Sequence, residues 1–459
     1  MPRRPRPPNL ASRACAALAC LTAACNFDAQ GLGESTDVVL SASSSSSSGA
    51  PGTTTGPGST STGEPTPDSS GDASSTGEPA CVEDCPPVPA WTVMAPAEPH
   101  ALALDAAGDA VVVGDCPQAS NAAISDVWTG KFAGLDGAQI WEARHNGGQH
   151  GRDFARGVAL TPDGRVVVVG GSREVSGRGV DLWVGWYAGD TGELLTSGNL
   201  MTGHWNGDDA LVDEWAEAVA IDGAGGLVLA GSRCPASCEV PDAWIGRFDA
   251  TGAALWGEPM LPVATGSFRG LLLDDDRLLP FGSDGYDASP LPWRTLLRRL
   301  DDDGAGTWSA LPDPPGELGF IALAAALADD GGLWVVGREL AVGAEQGFLR
   351  LYRPDRADTP VAELHGVELG GSLGALVLHA DRDPIVAGAR GRGTTRHLWL
   401  ARFTRELAPV WQLDVASDEA SDARGLARDA NGGLWVLGAH QPDADTRATS
   451  WLRRYTPGP

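Results

Sequence analysis

The sequence predicts an all-β fold, a seven-bladed β-propeller with four strands in each blade. A short apolar strand that ends in glycine occurs seven times in the 459-residue chain, at spacings of 50 to 61 residues. A strand with alternating large residues follows each of these glycines. Four short strands per unit of about 50 residues are typical of propeller blades. The last unit lacks a fourth strand, and an additional strand precedes the first unit.

The first 24 residues have the features of an export signal. Several arginines precede a short apolar run that ends in small residues, which is typical of a secretory signal and too short for a mature membrane span. The run ends in LTAAC at Cys25, which resembles the lipobox of bacterial lipoproteins. The resemblance implies cleavage before Cys25 and lipidation of its sulfur. Lipidation at Cys20 and an ordinary secretory signal with incidental cysteines are the alternatives.

Residues 25–88 are predicted to be a disordered tether. They are a low-complexity mixture of Ser, Thr, Gly and Pro with a few acids, and such a segment cannot bury enough apolar area to offset the entropy of ordering. A coil of this length spans roughly 40 Å. Cleavage before Cys25 removes four arginines and no acid, so the formal charge changes from −27 to −31.

The cysteines after the signal segment indicate an exported, disulfide-containing chain. Cys81 and Cys85 are separated by three residues, as are Cys234 and Cys238, and close pairs in an exported protein predict small disulfide loops. Cys116 is left over. It is either a free thiol or the partner of Cys81 or Cys85, because connectivity does not follow from sequence.

Residues 89–459 are predicted to form the propeller. The seven strands that end in glycine are the second strands, and their glycines are Gly114, Gly170, Gly231, Gly282, Gly337, Gly388 and Gly438. Tight turns rich in Gly and Asp separate them from the first strands. The third strands are WTGKF (128–132), WVGWY (183–187), WIGRF (244–248), LLRRL (296–300), FLRLY (348–352), WLARF (399–403) and WLRRY (451–455). The predicted fourth strands lie at 137–143, 192–198, 252–258, 304–310, 359–364 and 408–413.

The ends of the repeat region predict how the ring closes. The seventh unit stops after its third strand, whereas the strand 90–94 precedes the first unit. We expect this N-terminal strand to pair into the last blade, because that pairing removes an open sheet edge.

One stretch also resembles a known repeat family. Residues 126–172, DVWTGKF through VVVVGGS, are similar to the SBBP type of bacterial β-propeller repeat, which alternates an aromatic-Lys strand, a Gly-rich loop with acids and an Asp-Gly turn before a VxVxG strand. Units four and six depart from it, with Leu296 in place of an aromatic residue and 381–383 in place of the Gly-rich turn. The resemblance implies an exported, surface-associated propeller without an assigned catalytic set.

The predicted loops place a binding surface at one end of the ring. The connections between second and third strands, 115–126, 171–181, 232–242, 283–293 and 338–347, are long, and long loops carry function more often than tight turns. Counting back from each glycine selects one residue per unit at that end: His100, Arg156, Glu217, Arg269, Leu323, Gly374 and Arg424. Three arginines and a histidine around a channel mouth predict binding of a small anion or carboxylate. The alternative is pairing with loop acids such as Asp153, Asp209 and Asp213.

Other site chemistries have weaker signals. Asp126, Asp181 and Asp242 each precede an aromatic strand by two residues, and they either bind calcium with loop carbonyls or cap turns. Apart from this calcium hypothesis, we expect no metal and no cofactor. The acidic charge argues against a nucleic-acid surface, and no apolar stretch approaches the length of a membrane-spanning helix.

The sequence therefore predicts a lipid-anchored, monomeric propeller displayed on the outside of the bacterial outer membrane. Its expected role is non-enzymatic binding of an extracellular protein or glycan, with the lipid as its only membrane contact. An exported hydrolase or lyase with its site at the channel mouth is the alternative. A purely structural role in the envelope is a third interpretation.

Overall fold

The computed structural model describes most of the chain after the tether. The described residues are 85–458, with gaps at 96, 119–120, 148–150, 174–178, 199–211, 236–240, 251, 257–260, 275–276, 285–293, 302, 311–318, 342–343, 354–358, 367–368, 370, 381, 392–395, 416–420 and 441–448. The predicted signal peptide, Cys25 and residues 26–84 of the tether, including Cys81, lie outside them. None of the described residues belongs to a helix long and apolar enough to cross a lipid bilayer.

The described residues form seven antiparallel blades, as predicted. The first three blades contain β2 (Glu98–Leu104), β3 (Ala110–Gln118), β4 (Asn121–Phe132), β5 (Gln139–His145), β6 (Phe154–Leu160), β7 (Val166–Ser172), β8 (Asp181–Tyr187), β9 (Leu194–Gly198), β10 (Val212–Ile221), β11 (Leu227–Pro235) and β12 (Asp242–Phe248). The next two contain β13 (Leu261–Asp274), β14 (Arg277–Asp284), β15 (Arg294–Leu300), β16 (Gly306–Ala310), β17 (Gly319–Leu327), β18 (Leu333–Ala341), β19 (Ala344–Tyr352) and β20 (Ala362–His365). The last two contain β21 (Gly371–Leu378), β22 (Pro384–Arg390), β23 (His397–Phe403), β24 (Pro409–Val415), β25 (Ser421–Arg428), β26 (Leu434–His440), β27 (Thr449–Thr456) and β1 (Val88–Ala95).

The N-terminal strand closes the ring, which confirms the prediction. β1 pairs antiparallel with β27, so that Val93 lies opposite Leu452 and Met94 opposite Trp451. The Trp91 ring packs edge-on against Trp435 of the same blade, with 5.0 Å between the ring centroids. The last blade is thus completed by a strand from the other end of the propeller, and this pairing covers the edge of β27.

One strand belongs to two blades, which corrects a sequence prediction. β13 begins by pairing with β12, through Leu261 and Pro262, and continues from Gly266 as the partner of β14. It therefore supplies the fourth strand of blade three and the first strand of blade four. The predicted fourth strand 252–258 is wrong, because its described residues make only an isolated bridge between Ala254 and Phe248.

The core lies between neighbouring blades. One cluster joins Val111 and Val113 of blade one to Val168 and Trp183 of blade two, and the others repeat this arrangement around the ring. The tryptophans of the third strands are almost completely buried: Trp128, Trp183, Trp244 and Trp399. Each burial removes a large apolar area from water, so these rings contribute strongly to the interblade packing.

Glycine stands two positions after three of these tryptophans, Trp128, Trp183 and Trp244, and the packing of the ring explains this repeated WxG pattern. A Cβ atom added at Gly130 would lie 2.6 Å from the Trp128 ring, and one at Gly185 would lie 2.5 Å from the Trp183 ring. The ring therefore lies over the backbone of the glycine. Blade five uses another arrangement, in which the buried Arg350 guanidinium stacks between Phe320 and Phe348 at 4.5 and 4.6 Å from the ring centroids.

In five blades an ion pair recurs at the end away from the connections between second and third strands. A carboxylate at or beside the turn between the first and second strands pairs with the cation at the fourth position of the third-strand motif. The pairs are Asp105–Lys131, Asp222–Arg247, Asp274–Arg299, Asp383–Arg402 and Asp429–Arg454, with N–O distances of 2.7 to 3.0 Å. We call these pairs the turn latches. Asp222 also accepts hydrogen bonds from the backbone N–H groups of Ala224 and Gly226, so one carboxylate orders both the turn and the third strand.

The cysteines agree with the disulfide prediction only in part. Cys85, Cys116 and Cys234 are each disulfide-bonded. A free Cys116 thiol, one of the two alternatives, is therefore wrong. Cys81 and Cys238 lie outside the described residues, so the predicted Cys81–Cys85 and Cys234–Cys238 pairings stay predictions.

Candidate functional site

The first strand of every blade contains one β-bulge at the same place. The register shifts by one residue in the pairing of each first strand with its second strand. The seven extra residues are His100, Arg156, Glu217, Arg269, Leu323, Gly374 and Arg424. They are the residues selected by counting back from the repeated glycines. A bulge bends the strand and re-aims the side chain of the extra residue.

The repeated glycines exist because of these bulges. A Cβ atom at Gly170 would overlap the carbonyl oxygen of Phe154, and one at Gly114 would overlap that of Glu98. The same overlap with a first-strand carbonyl occurs at four of the other five repeated glycines: Gly231, Gly282, Gly337 and Gly388. The bulge pushes the first-strand backbone against the second strand, so only glycine fits there.

The seven bulged residues surround one cavity at the centre of the ring, and we call them the collar. The cavity has a volume of about 300 Å³, at the lower end of the range for small-molecule sites. Beyond the collar its wall is apolar, with residues such as Leu102, Val158, Val219, Leu271, Ala325 and Leu376. The cavity thus combines a polar collar with an apolar wall.

Two of the collar residues, His100 and Arg156, share one buried carboxylate. His100 Nε2 lies 3.2 Å and Arg156 Nη1 3.3 Å from Asp115 Oδ2. Asp115 Oδ1 also accepts a hydrogen bond from the backbone N–H of Ala155. Asp115 directly follows the repeated glycine of blade one, so the second strand of one blade holds the collar residue of the next.

The other two cationic residues of the collar, Arg424 and Arg269, lie at different distances from their carboxylate partners. Arg424 Nη1 lies 2.6 Å from Glu98 Oε1, a close, charge-assisted hydrogen bond. Arg269 Nη1 lies 3.7 Å from Glu217 Oε1, beyond hydrogen-bonding distance. Glu217 Oε1 instead accepts a 2.7 Å hydrogen bond from Trp215 Nε1. Among the described residues, this loose contact is the only polar contact of Arg269.

These contacts bear on both sequence interpretations of the collar. Three arginines face three carboxylates, Glu98, Asp115 and Glu217, so the group has no net charge when His100 is neutral. The arginines pair with these three carboxylates, whereas Asp153 and Asp213 bind other groups. Asp153 accepts hydrogen bonds from Gly147, Ser172 and Arg173, Asp213 binds the Val180 N–H, and Asp209 lies outside the described residues.

Burial changes the proton affinities at this site. Burial lowers the pKa of His100, and the positive charge of Arg156 lowers it further, against the raising effect of Asp115. Burial alone would raise the pKa of Asp115, but the interactions with His100 and Arg156 outweigh it and hold this pKa below its ordinary value. The arrangement therefore favours a neutral His100 beside an ionised Asp115 at neutral pH.

Sequence reasoning missed a second polar group near the collar. Arg396 Nη2 lies 2.9 Å from Asp422 Oδ2 and 3.0 Å from Ser372 Oγ, and Arg338 Nη2 lies 3.5 Å from the same Asp422 oxygen. Ser372 and Asp422 each stand two residues before a bulged residue, as Glu98 does. Counting two residues further back would have found all three.

The connections around this end differ from the prediction in two blades. The predicted long loops 115–126 and 338–347 are mainly extended β-hairpins, in which β3 runs to Gln118 and β4 starts at Asn121, while β18 runs to Ala341 and β19 starts at Ala344. Most of these residues therefore belong to the blades.

The calcium hypothesis gains no further support. Asp126 and Asp181 are buried and Asp242 is half-buried. Within the described ranges, no three His, Cys, Asp or Glu side chains are grouped so that they could hold a metal ion.

Comparisons with known proteins give only remote structural similarities. No protein-family model and no curated protein matches the chain. Among solved structures it is similar to the polysaccharide lyase Uly1, with 10% identity and a TM-score of 0.49 over 83% of this chain and 94% of that chain. It is also similar to the WD40 β-propeller domain of Doa1, with 10% identity and a TM-score of 0.46 over 81% and 97% of the two chains.

A third similar structure is the α-L-arabinofuranosidase Arb93A from Fusarium graminearum, with 12% identity and a TM-score of 0.43 over 64% of this chain and 91% of that chain. Similarities this remote carry no argument about activity or ligand. The seven blades are established by the strand pairings of this chain itself.

Proposed function

We propose that this protein is a non-enzymatic binding module, which presents its collar to an extracellular protein or glycan. In this proposal an exported, monomeric propeller is held at the outer face of the bacterial outer membrane by a lipid on Cys25. The tether 25–88 keeps the propeller clear of the membrane. The export and anchoring parts are supported by the basic and apolar N-terminus that ends in LTAAC and by the resemblance of 126–172 to SBBP-type repeats.

One observation carries the binding part. The side chains of Arg269 and Arg424 are 43% and 33% exposed, while the carboxylates of their partners Glu217 and Glu98 are 9% and 5% exposed. The guanidinium groups thus face the cavity mouth with donors to spare, and the acids behind them are fixed. Charged donors over a cavity with an apolar wall are what a ligand site requires.

Capture from intact cells tests the binding proposal. We expect the mature chain to retain a partner from the surface or medium of its own cells, and the variant Arg269→Ala/Arg424→Ala to lose it. Arg165→Ala is the matched control, because Arg165 is 37% exposed and lies beside the turn at the opposite end of blade two. Equal capture by all three proteins would contradict the proposal.

The anchor is tested separately by mass spectrometry of the mature N-terminus. We expect a lipid-modified Cys25, and release of the Cys25→Ala variant from the membrane fraction. An unmodified N-terminus at another residue would overturn the anchor and leave the collar proposal intact.

A hydrolase or lyase acting at the same mouth is the second candidate. Glu217 favours it, because a carboxylate beside an exposed arginine suits general acid–base chemistry. A panel of glycosidase, esterase and lactonase substrates tests this candidate. Robust turnover that is lost on changing Glu217 or Arg156 would replace the binding proposal with an enzymatic one.

A further inference from the structure

We infer that the collar binds the end of a neutral sugar chain and not an anion. This inference rests on the proposed binding function and names the ligand class for it. It reverses the expectation from sequence, which counted the cations of the collar without their partners.

The charges of the collar arginines are balanced by neighbouring carboxylates. Each collar arginine has a carboxylate neighbour: Asp115 for Arg156, Glu98 for Arg424 and Glu217 for Arg269. An anion placed against the mostly buried His100, Arg156 and Asp115 would add a negative charge to side chains that already balance one another, which low polarity penalises. An uncharged ligand avoids this penalty.

The loosely paired residues form the recognising group. Arg269 offers five N–H donors, of which its 3.7 Å contact with Glu217 leaves most available. No hydrogen bond to Glu217 Oε2 is formed among the described residues, so this oxygen is an available acceptor. A sugar hydroxyl accepts one hydrogen bond and donates another. A hydroxyl pair can therefore bind both residues without separating their charges.

Two neighbouring blades supply an apolar side to the same site. Their collar positions are Leu323 and Gly374, and Ala324, Ala325 and Leu376 continue the wall below them. Gly374 adds no polar side chain, so this side of the collar is apolar. A pyranose or furanose ring presents C–H faces as well as hydroxyls, which matches a site with a polar arc opposite an apolar one.

The volume of the cavity favours the end of a sugar chain over its interior. A cavity of about 300 Å³ has room for a terminal sugar and part of the next, and larger ligands would stand out from the collar.

Calorimetric titration of the mature, full-length chain tests this inference. The neutral probes are cellotriose, maltotriose, laminaritriose, mannotriose and arabinotriose, and the anionic probes are tri-galacturonate and citrate. We expect at least one neutral trisaccharide to bind, and Arg269→Ala to weaken it about tenfold or more, since hydrogen bonds to charged groups are worth that factor. Arg165→Ala should leave it unchanged.

Glu217→Gln separates the two ligand classes. The change keeps an acceptor for Trp215 but gives the collar one net positive charge and a weaker acceptor for a hydroxyl. We expect it to weaken the neutral sugar, whereas it would strengthen an anion. Binding of the anionic probes alone, or of no neutral probe up to about 10 mM, would overturn the inference. Collar-dependent capture of a protein from cells would then still support the proposed function.

Discussion

Arg424 of the last blade donates a 2.6 Å hydrogen bond from Nη1 to Glu98 Oε1 of the first blade, 326 residues away in sequence. The pair spans the seam at which the ring closes, and both residues belong to the region of the collar. A contact at the collar therefore also joins the last blade to the first.

The seam pair predicts a stability effect for Glu98→Ala. Glu98 is buried, and its loss leaves Arg424 without its close partner. Because Arg424 is one-third exposed, water replaces part of the interaction, and we expect the free energy of unfolding to fall by about 2 kcal/mol. Urea denaturation measures it. The control is Glu142→Ala, which removes the outer-strand pair with Arg144 and should change stability by less than about 0.5 kcal/mol. Equal effects of the two variants would refute a special role for the seam.

The bulges predict strong intolerance at the repeated glycines. Gly170→Ala places a methyl group on the Phe154 carbonyl oxygen, so the bulge must shift. We expect a loss of more than about 3 kcal/mol or failure to fold, measured by urea denaturation or by soluble yield. Gly223→Ala adds a methyl group in open space and should be nearly neutral. A stable Gly170→Ala protein with unchanged circular dichroism would show that the bulge is not required.

His100 predicts a loss of stability in mild acid. Its pKa is lowered in the folded protein from the ordinary 6.5, so below this pH the unfolded chain binds more protons than the folded one. Stability is complete above about pH 6.5 and falls as the pH decreases. The lowered pKa of Asp115 adds a further loss below about pH 4. Denaturation midpoints between pH 5 and 7 should flatten in His100→Gln. His365→Gln changes a 56% exposed side chain and should keep the dependence of the midpoint on pH. The same dependence in both variants would exclude His100 as its source.

The turn latches predict a local effect at the opposite end. Asp222→Ala removes the ion pair with Arg247 and two turn hydrogen bonds. Both side chains are mostly buried, and we expect a loss of about 2–3 kcal/mol by urea denaturation. Asp163→Ala, in a blade without a latch and with a 61% exposed side chain, should have little effect. Similar losses in both variants would mean that the turn, and not the latch, matters.

The collar positions could be predicted from sequence, and the ligand chemistry could not. A fixed distance from a repeated glycine found Arg269 because the bulge requires glycine at this position in six of the seven blades. Asp115 was missed because no other blade has an acid directly after the repeated glycine, and Glu98 because only Asp422 repeats an acid at its position two residues before the bulge. Charge counts on one strand therefore overstated the positive character of a site that a neighbouring strand neutralises.

The errors in the strand assignment also have physical causes. Residues 252–258 contain an alternating pattern around Trp256, but 261–265 lead directly into the next blade, and one long strand can pair on both sides. The hairpins after Gly114 and Gly337 extend through polar residues that resemble a loop. Backbone pairing tolerates such residues where the strand ends leave the core.

The order in which the strands are synthesised has a consequence for folding. β1 is synthesised before every blade, yet its partner β27 is the last strand of the ring. The β1–β27 pairing therefore cannot form until the whole repeat region has been synthesised. Throughout that interval two strand edges stay unpaired, and contacts between such distant segments form slowly. An arrested or shortened chain would therefore expose open strand edges that invite aggregation.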